Sequence, residues 1–412
     1  MTVNPTLEAP VAAPARTGAK LGIIDADVHP SMNPAIPGVL RHLPTRWQEY
    51  LVHTGLRAGA PGGDRPRHRE FASRWDAVPP GGGAPGIDPA FARAQLLDAY
   101  DMSAAVLNDI GGFPLSGGMR VPAEFCAAFC SALNTYREEV WFADDPRWYG
   151  AINLPYEIPD LAVEEIVRRK EGPDGDRWVQ VMLAPDNERG IGHRKYWPVL
   201  EACEHYGLPI GFHVLSGRRI TPSGPANFYF EEHCDFAGLN FPVIASLVFE
   251  GTFDRFPGLK VAMVELGWSW VVPLAWRMDH AYRMMPREVE LQRLPSEYIR
   301  DHLWFTTQPM EEPENPRWFD DVLALFESSG MADKLMFSSD YPHWDFDEPD
   351  SFPLSVRRDH ERFGRILGGN ASALYGLPLL PGTGYPVGWP RHGHEVPAAR
   401  VGTSSRGRLT RR

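Results

Sequence analysis

Apolar residues along this chain fall into two alternating rhythms. Short, dense runs of four to nine residues read as buried strands. Eight of them stand out: "LGIIDADVH" (21–29), "SAAVLND" (103–109), "WYGAINLP" (148–155), "WVQVMLAP" (178–185), "LPIGFHV" (208–214), "LKVAMVEL" (259–266), "HLWFTTQP" (302–309) and "KLMFSSDYP" (334–342). Between them, apolar residues recur three and four apart, the spacing of one helix face. In "PAEFCAAFCSALNTYREEVW" (122–141), Phe125, Ala128, Phe129, Ala132, Leu133, Tyr136 and Val140 share a stripe. In "FDDVLALFESSG" (319–330), Phe319, Val322, Leu323 and Phe326 do the same, and Gly330 stops the helix. "KYWPVLEACEHYG" (195–207) ends at Gly207, just before a strand.

Strands alternating with helices imply parallel pairing. Eight such units predict an α/β fold, a (β/α)8 TIM-type barrel with long βα-loop insertions. An open doubly wound sheet would begin with a glycine-rich phosphate turn after its first strand. Here the first strand runs into "HPSMNPAIPG", which has no such turn. The pattern predicts a flexible leader over 1–20, one barrel domain over 21–377 and a flexible C-terminal tail over 378–412. Two insertions, 33–90 and 216–239, follow the first and fifth strands. They belong on the C-terminal face of a barrel, where βα-loops build active sites, and read as lids.

Composition narrows the class. A net charge of −12 argues against nucleic-acid binding, although the last residues, "RHGHEVPAARVGTSSRGRLTRR", are locally basic. The four cysteines, Cys126, Cys130, Cys203 and Cys234, form no C-x-x-C pair, so a reducing compartment fits. The N-terminus lacks the apolar core of a secretory signal, and no apolar run is long enough to cross a bilayer. The chain reads as soluble and cytoplasmic, with no membrane partner.

The candidate chemistry sits at strand ends. In a regular strand Asp25, Asp27 and His29 would share one face, with Ala26 and Val28 on the other. Buried charge needs a partner, and a divalent metal accepts carboxylate oxygen and imidazole nitrogen together. His213 ends the fifth strand, Glu265 the sixth and Asp340 the eighth, with His343 just after it. In a closed barrel these ends converge on one cavity.

With these residues in place the sequence resembles the amidohydrolase superfamily. The branch it is most similar to includes metal-dependent aromatic and aminocarboxymuconate-semialdehyde decarboxylases. "IIDADVH" resembles the first-strand motif, usually Asp-x-His-x-His; "KYWPVLEACEHYGLPIGFHV" resembles the unit that delivers a third ligand. "FDRFPGLKVAMVELGWSWVVPLAWRMD" resembles the sixth unit, "KLMFSSDYPHWD" the eighth-strand segment and "ILGGNASALYGL" (366–377) the closing helix. The resemblance implies that Asp27, His29, His213 and Asp340 hold one divalent metal ion, zinc first and manganese second. It also implies a homodimer. Asp27 stands where the family usually has histidine, and Glu265 replaces the usual strand-6 histidine.

Three functions follow as expectations. In the leading one, metal-activated water hydrolyses a C–N bond in an amide, lactam, amidine or modified peptide, within natural-product or ribosomal-peptide biosynthesis. There Asp340 takes the water's proton and Glu265 or His343 protonates the leaving nitrogen. In the alternative, a non-oxidative decarboxylase acts on an aromatic or unsaturated acid. Arg218 and Arg219 favour it as carboxylate binders, and the missing strand-6 histidine counts against it. In the second alternative, a decayed barrel binds without catalysis. Trp268 and Trp270 either wall the pocket or pack helices, and His233 with Asp235 sits in the second lid.

Overall fold

All eight apolar runs form strands: β1 Ile24–Val28, β2 Ala104–Leu107, β3 Trp148–Asn153, β4 Trp178–Leu183, β5 Ile210–His213, β6 Val261–Val264, β7 Leu303–Thr306 and β8 Leu335–Met336. They pair in sequential order, every neighbour parallel. A parallel bridge between Val28 and Tyr341, with the Ala26 amide on the Phe337 carbonyl at 3.0 Å, joins the last strand to the first. The fold is the expected (β/α)8 barrel. The computed structural model describes residues 21–31, 37–54, 72–110, 121–183, 187–213, 227–238, 240–285 and 287–382. The predicted leader, most of the predicted tail, and Arg218 with Arg219 lie outside the described residues.

Three helices, after β2, β4 and β7, form on the predicted helical stretches, and the one after β3 adds to them. Ala123–Arg137 follows β2, Pro159–Lys170 follows β3, Trp197–Tyr206 follows β4 and Pro316–Phe326 follows β7. Gly207 ends its helix with φ 65°, a left-handed turn that glycine adopts without a Cβ penalty.

Two apolar layers result. Ile23, Val28, Leu107, Val181, Phe212 and Met263 pack outward against helical residues such as Phe129, Ile166 and Leu323. Ile24, Ala26, Val106, Val264 and Met336 fill the barrel interior. The closing helix Asn370–Tyr375 adds Ala371, Leu374 and Tyr375 to that interior layer.

Two local departures from regular strand matter for the site. The register of β1 shifts between Asp25 and Val28. That irregularity breaks the alternation. Ala26 packs in the barrel interior, contrary to the regular-strand expectation, and Asp25 drops out of the face shared by Asp27 and His29. Asp25 Oδ1 instead accepts from the amides of Asp27 at 3.1 Å and Ser339 at 3.0 Å, on the seam between the first and last strands. The eighth strand is also shorter than its sequence run. Past Met336 the Ser338 amide turns to a side chain, donating to Thr307 Oγ1 at 3.1 Å, so the ladder to β7 ends early.

Candidate metal centre

The C-terminal ends of β1, β5, β6 and β8 bring Asp27, His29, His213, Glu265, Asp340 and His343 together. Ligand atoms of Asp27, His29, His213 and Glu265 lie within 4.8 Å of one another, as do those of His29, Glu265, Asp340 and His343. His29 and Glu265 belong to both groups. Glu265 thus stands among the residues able to face a cation, beyond the four ligands expected from the resemblance.

Backbone geometry aims two of these carboxylates. Glu265 has φ 55° and Asp340 has φ 59°, both in the left-handed region. Such conformations cost non-glycine residues about 1–3 kcal/mol each and persist where surroundings enforce them. The Glu265 amide donates to Thr306 Oγ1 at 3.0 Å, and the Asp340 amide to the Asp27 carbonyl at 3.2 Å. Each turn follows a strand and holds its carboxylate at the mouth.

The tautomer of His29 decides what the cluster lacks. His29 Nδ1 lies 2.8 Å from the Asn108 carbonyl oxygen, which only accepts, so Nδ1 carries the hydrogen. In the neutral ring Nε2 then presents a lone pair. Around that nitrogen stand Asp340 Oδ1 at 2.7 Å, Asp27 Oδ1 at 3.4 Å and Glu265 Oε2 at 3.6 Å. Glu265 Oε2 also lies 2.8 Å from His213 Nε2, and Asp27 Oδ2 lies 3.8 Å from it. Asp27 Oδ2 and Asp340 Oδ2 are buried without a hydrogen-bond partner, and Glu265 Oε2 meets only the two imidazole nitrogens. Three buried carboxylates facing an imidazole lone pair are untenable without positive charge between them. A divalent cation supplies it, and the mixed nitrogen and oxygen donors suit one.

The electrostatics carry the same message. Burial lowers the proton affinity of His29, yet the charge of Asp27 and contacts to Asp340 and Glu265 outweigh it, and its pKa rises well above the usual value. Burial, with the charge of Glu265, pushes Asp340 up to about 6. Glu265 goes the other way. Burial raises its pKa, but the charge and hydrogen bond of His213 and the contact with His29 hold it well below the carboxylate range. His343 is buried, which lowers its pKa, and the Asp340 charge more than offsets this.

His343 enters from the loop after β8. Its Nδ1 lies 2.7 Å from Asp340 Oδ1, and its ring stacks on His29 with centroids 4.5 Å apart. Other candidates fall elsewhere. Trp268 packs edge-on against Phe319 and Phe326 in the helical layer. Trp270 rests between Phe241 and Phe305 and donates to the Leu266 carbonyl at 2.8 Å. Both take the packing role. His233, on the short helix Tyr229–Cys234, pairs with Asp345 Oδ2 at 2.8 Å and lies against Trp344.

Two polar residues beneath the centre escaped sequence reasoning. Asn108 ends the β2 run and donates from Nδ2 to Asp27 Oδ1 at 2.8 Å. Gln180 sits mid-strand in β4, fully buried. A glutamine inside an apolar strand was the available signal, since a buried amide requires partners.

The fold and this constellation define a barrel with a candidate metal centre at its mouth, and comparison with known proteins gives its family. The amidohydrolase family profile matches residues 24–377, so the chain belongs to that family. A curated relative, the 2-amino-3-carboxymuconate-6-semialdehyde decarboxylase of Dictyostelium discoideum, is 22% identical over 294 residues, covering 69% of this chain and 76% of the relative. An amidohydrolase of Mycobacterium avium subsp. paratuberculosis superimposes with a TM-score of 0.65 at 20% identity, over 86% of this chain and 99% of that one. The 5-carboxyvanillate decarboxylase of Novosphingobium aromaticivorans, solved with manganese and 4-hydroxy-3-methoxy-5-nitrobenzoic acid, gives a TM-score of 0.64 at 14% identity, over 87% and 96%.

These comparisons correct the leading functional expectation. The relatives with a stated reaction are decarboxylases, so hydrolysis of a C–N bond is set aside. The physical reason is local. The histidine missing from strand 6 counted against decarboxylation, but His343 brings an imidazole to the same space from the β8 loop.

Proposed function

We propose that the protein is a metal-dependent, non-oxidative decarboxylase of a small aromatic or unsaturated carboxylic acid. The observation that carries this reading is the ring of buried carboxylates around the lone pair of His29 Nε2. The decarboxylases among the relatives support the choice of reaction. Asp27, His29, His213 and Asp340 would hold one divalent cation, with Glu265 facing the same space. A cation bound there would draw electron density from the substrate carboxylate and a neighbouring oxygen. Two carboxylates in that donor set, with a third from Glu265 beside it, favour a harder ion, so manganese is preferred over zinc.

The chain's own residues handle the proton. The C–C bond to the carboxylate breaks, carbon dioxide leaves, and the bonding pair stays on the substrate carbon. A proton then replaces the lost group. His343 is placed to give it, because Asp340 holds Nδ1 and orients Nε2 as the transferring atom. Glu265 stays ionised and faces His213 Nε2 across the space a cation would occupy. The burial of these groups keeps water from competing for the carbon centre.

The test is turnover in D2O with manganese-loaded protein and a panel of hydroxybenzoic and unsaturated dicarboxylic acids. Carbon dioxide release with one deuteron at the vacated carbon is expected. Failure of every acid in the panel to lose carbon dioxide from a metal-loaded enzyme would overturn the reading.

A further inference from the structure

A hydrogen-bonded chain of buried side chains crosses the barrel interior from its closing helix to the metal centre. Tyr375 Oη donates to Gln180 Oε1 at 2.8 Å. Gln180 Nε2 donates to Asn108 Oδ1 at 3.1 Å. Asn108 Nδ2 donates to Asp27 Oδ1 at 2.8 Å and to the Ala26 carbonyl at 3.1 Å. The Asn108 backbone carbonyl takes the His29 Nδ1 hydrogen. Asn108 therefore holds both first-strand residues of the centre, one through its side chain and one through its backbone.

The polarity of this chain is forced. An ionised Asp27 only accepts, so Asn108 must turn its amide nitrogen toward it and its oxygen toward Gln180. Gln180 must then donate to Asn108, which leaves its own oxygen facing Tyr375. The Tyr375 hydroxyl completes the sequence as donor. Reversing either amide would set like groups against each other in a site without water-like solvation. The barrel also makes room for the middle link. A Cβ at Gly211 would lie 2.5 Å from Gln180 Nε2, so the β5 backbone must lack a side chain there for the amide to span the interior.

We infer that Tyr375 is a positioning residue for the metal centre, acting through Gln180 and Asn108 on Asp27 and His29. This rests on the metal-centre reading above. It makes the closing helix, whose other interior residues Ala371 and Leu374 only fill space, part of the machinery that fixes ligand orientation. Outer partners of metal ligands typically contribute about 10–100-fold to affinity. Tyr375 is two links further out, so its removal should cost about 10-fold, the low end of that range.

The experiment measures Mn2+ dissociation constants by calorimetry, with the Mn2+ electron paramagnetic resonance spectrum and the metal-free unfolding midpoint recorded alongside. Wild type is compared with Tyr375→Phe, Gln180→Met and Leu374→Ala. Tyr375→Phe should weaken Mn2+ binding about 10-fold and broaden the spectrum, and Gln180→Met should weaken it at least as much. Leu374→Ala, a packing loss on the same helix, should lower the unfolding midpoint and leave the dissociation constant alone. Unchanged affinity in both Tyr375→Phe and Gln180→Met would overturn the relay, as would an equal loss in Leu374→Ala. Absence of Mn2+ binding in wild type would instead remove the metal centre itself, and the relay with it.

Discussion

Two buried polar clusters occupy the same barrel and differ in one respect. Around Arg137, on the outer side of β2 and β3, donors meet acceptors. Its guanidinium reaches the carbonyls of Ala151 and Leu107 and the Oδ1 atoms of Asn134 and Asn153, with Nε the exception. Asn134 passes a hydrogen bond to Glu165 at 2.8 Å, and Arg169 meets Glu165 and Glu138 at 2.7 Å each. At the mouth the count fails. Carboxylate oxygens outnumber donors and crowd one imidazole nitrogen. The difference teaches how to separate a structural network from a site: burial and polarity are common to both, and only the surplus of acceptors demands a cation.

Histidines divide the same way. His302 packs on Phe253 with ring centroids 4.3 Å apart and contacts the Leu259 carbonyl at 2.8 Å. Burial dominates there and lowers its pKa. At the mouth, His29 is buried and His343 mostly so, and carboxylates push both upward.

The comparison breaks first at Asp340. Asparagine tolerates the left-handed backbone, so Asp340→Asn should keep the fold and lose the carboxylate charge. Decarboxylase activity should fall by more than the ~100-fold that loss of an outer partner costs, with bound metal absent on elemental analysis. The metal-free variant should also be more stable than metal-free wild type by about 0.5–2 kcal/mol, because repulsion at the site is relieved. Urea unfolding checks this, and lower stability would mean the mouth is an ordinary structural network.

Next comes His343→Gln. Turnover should drop about 10²–10⁴-fold while metal content holds, the pattern of a lost proton donor. Equal loss of metal would recast His343 as a ligand.

Arg137→Met should do the reverse. Its removal strands buried acceptors and should cost about 3–5 kcal/mol in urea unfolding, without changing Mn2+ affinity. A variant that loses affinity but not stability would erase the distinction between the two clusters.

The smallest effect lies at His302. With its folded pKa below the usual 6.5, the unfolded chain takes up the proton first as pH falls. Its contribution to stability is complete above pH 6.5 and declines as the pH drops toward the folded value. His302→Gln should flatten that part of the acid limb of a stability–pH profile. A limb of unchanged slope would show that His302 is not the group responsible.

The alternation of apolar runs and helical stripes was enough to determine the barrel, because period and order are local properties of the chain. Strand-end Asp27, His29, His213, Glu265, Asp340 and His343 were likewise legible, since a parallel barrel collects such ends at one mouth. Three things only the tertiary structure decided. The shift in β1 took Asp25 away from the site, and register depends on the neighbouring strand rather than on the sequence of one. His343, on another loop, came to stand beside Glu265, where no spacing rule links positions 265 and 343. And the chain from Tyr375 through Gln180 to Asn108 joins residues far apart in sequence, made neighbours because the barrel closes around its own last helix.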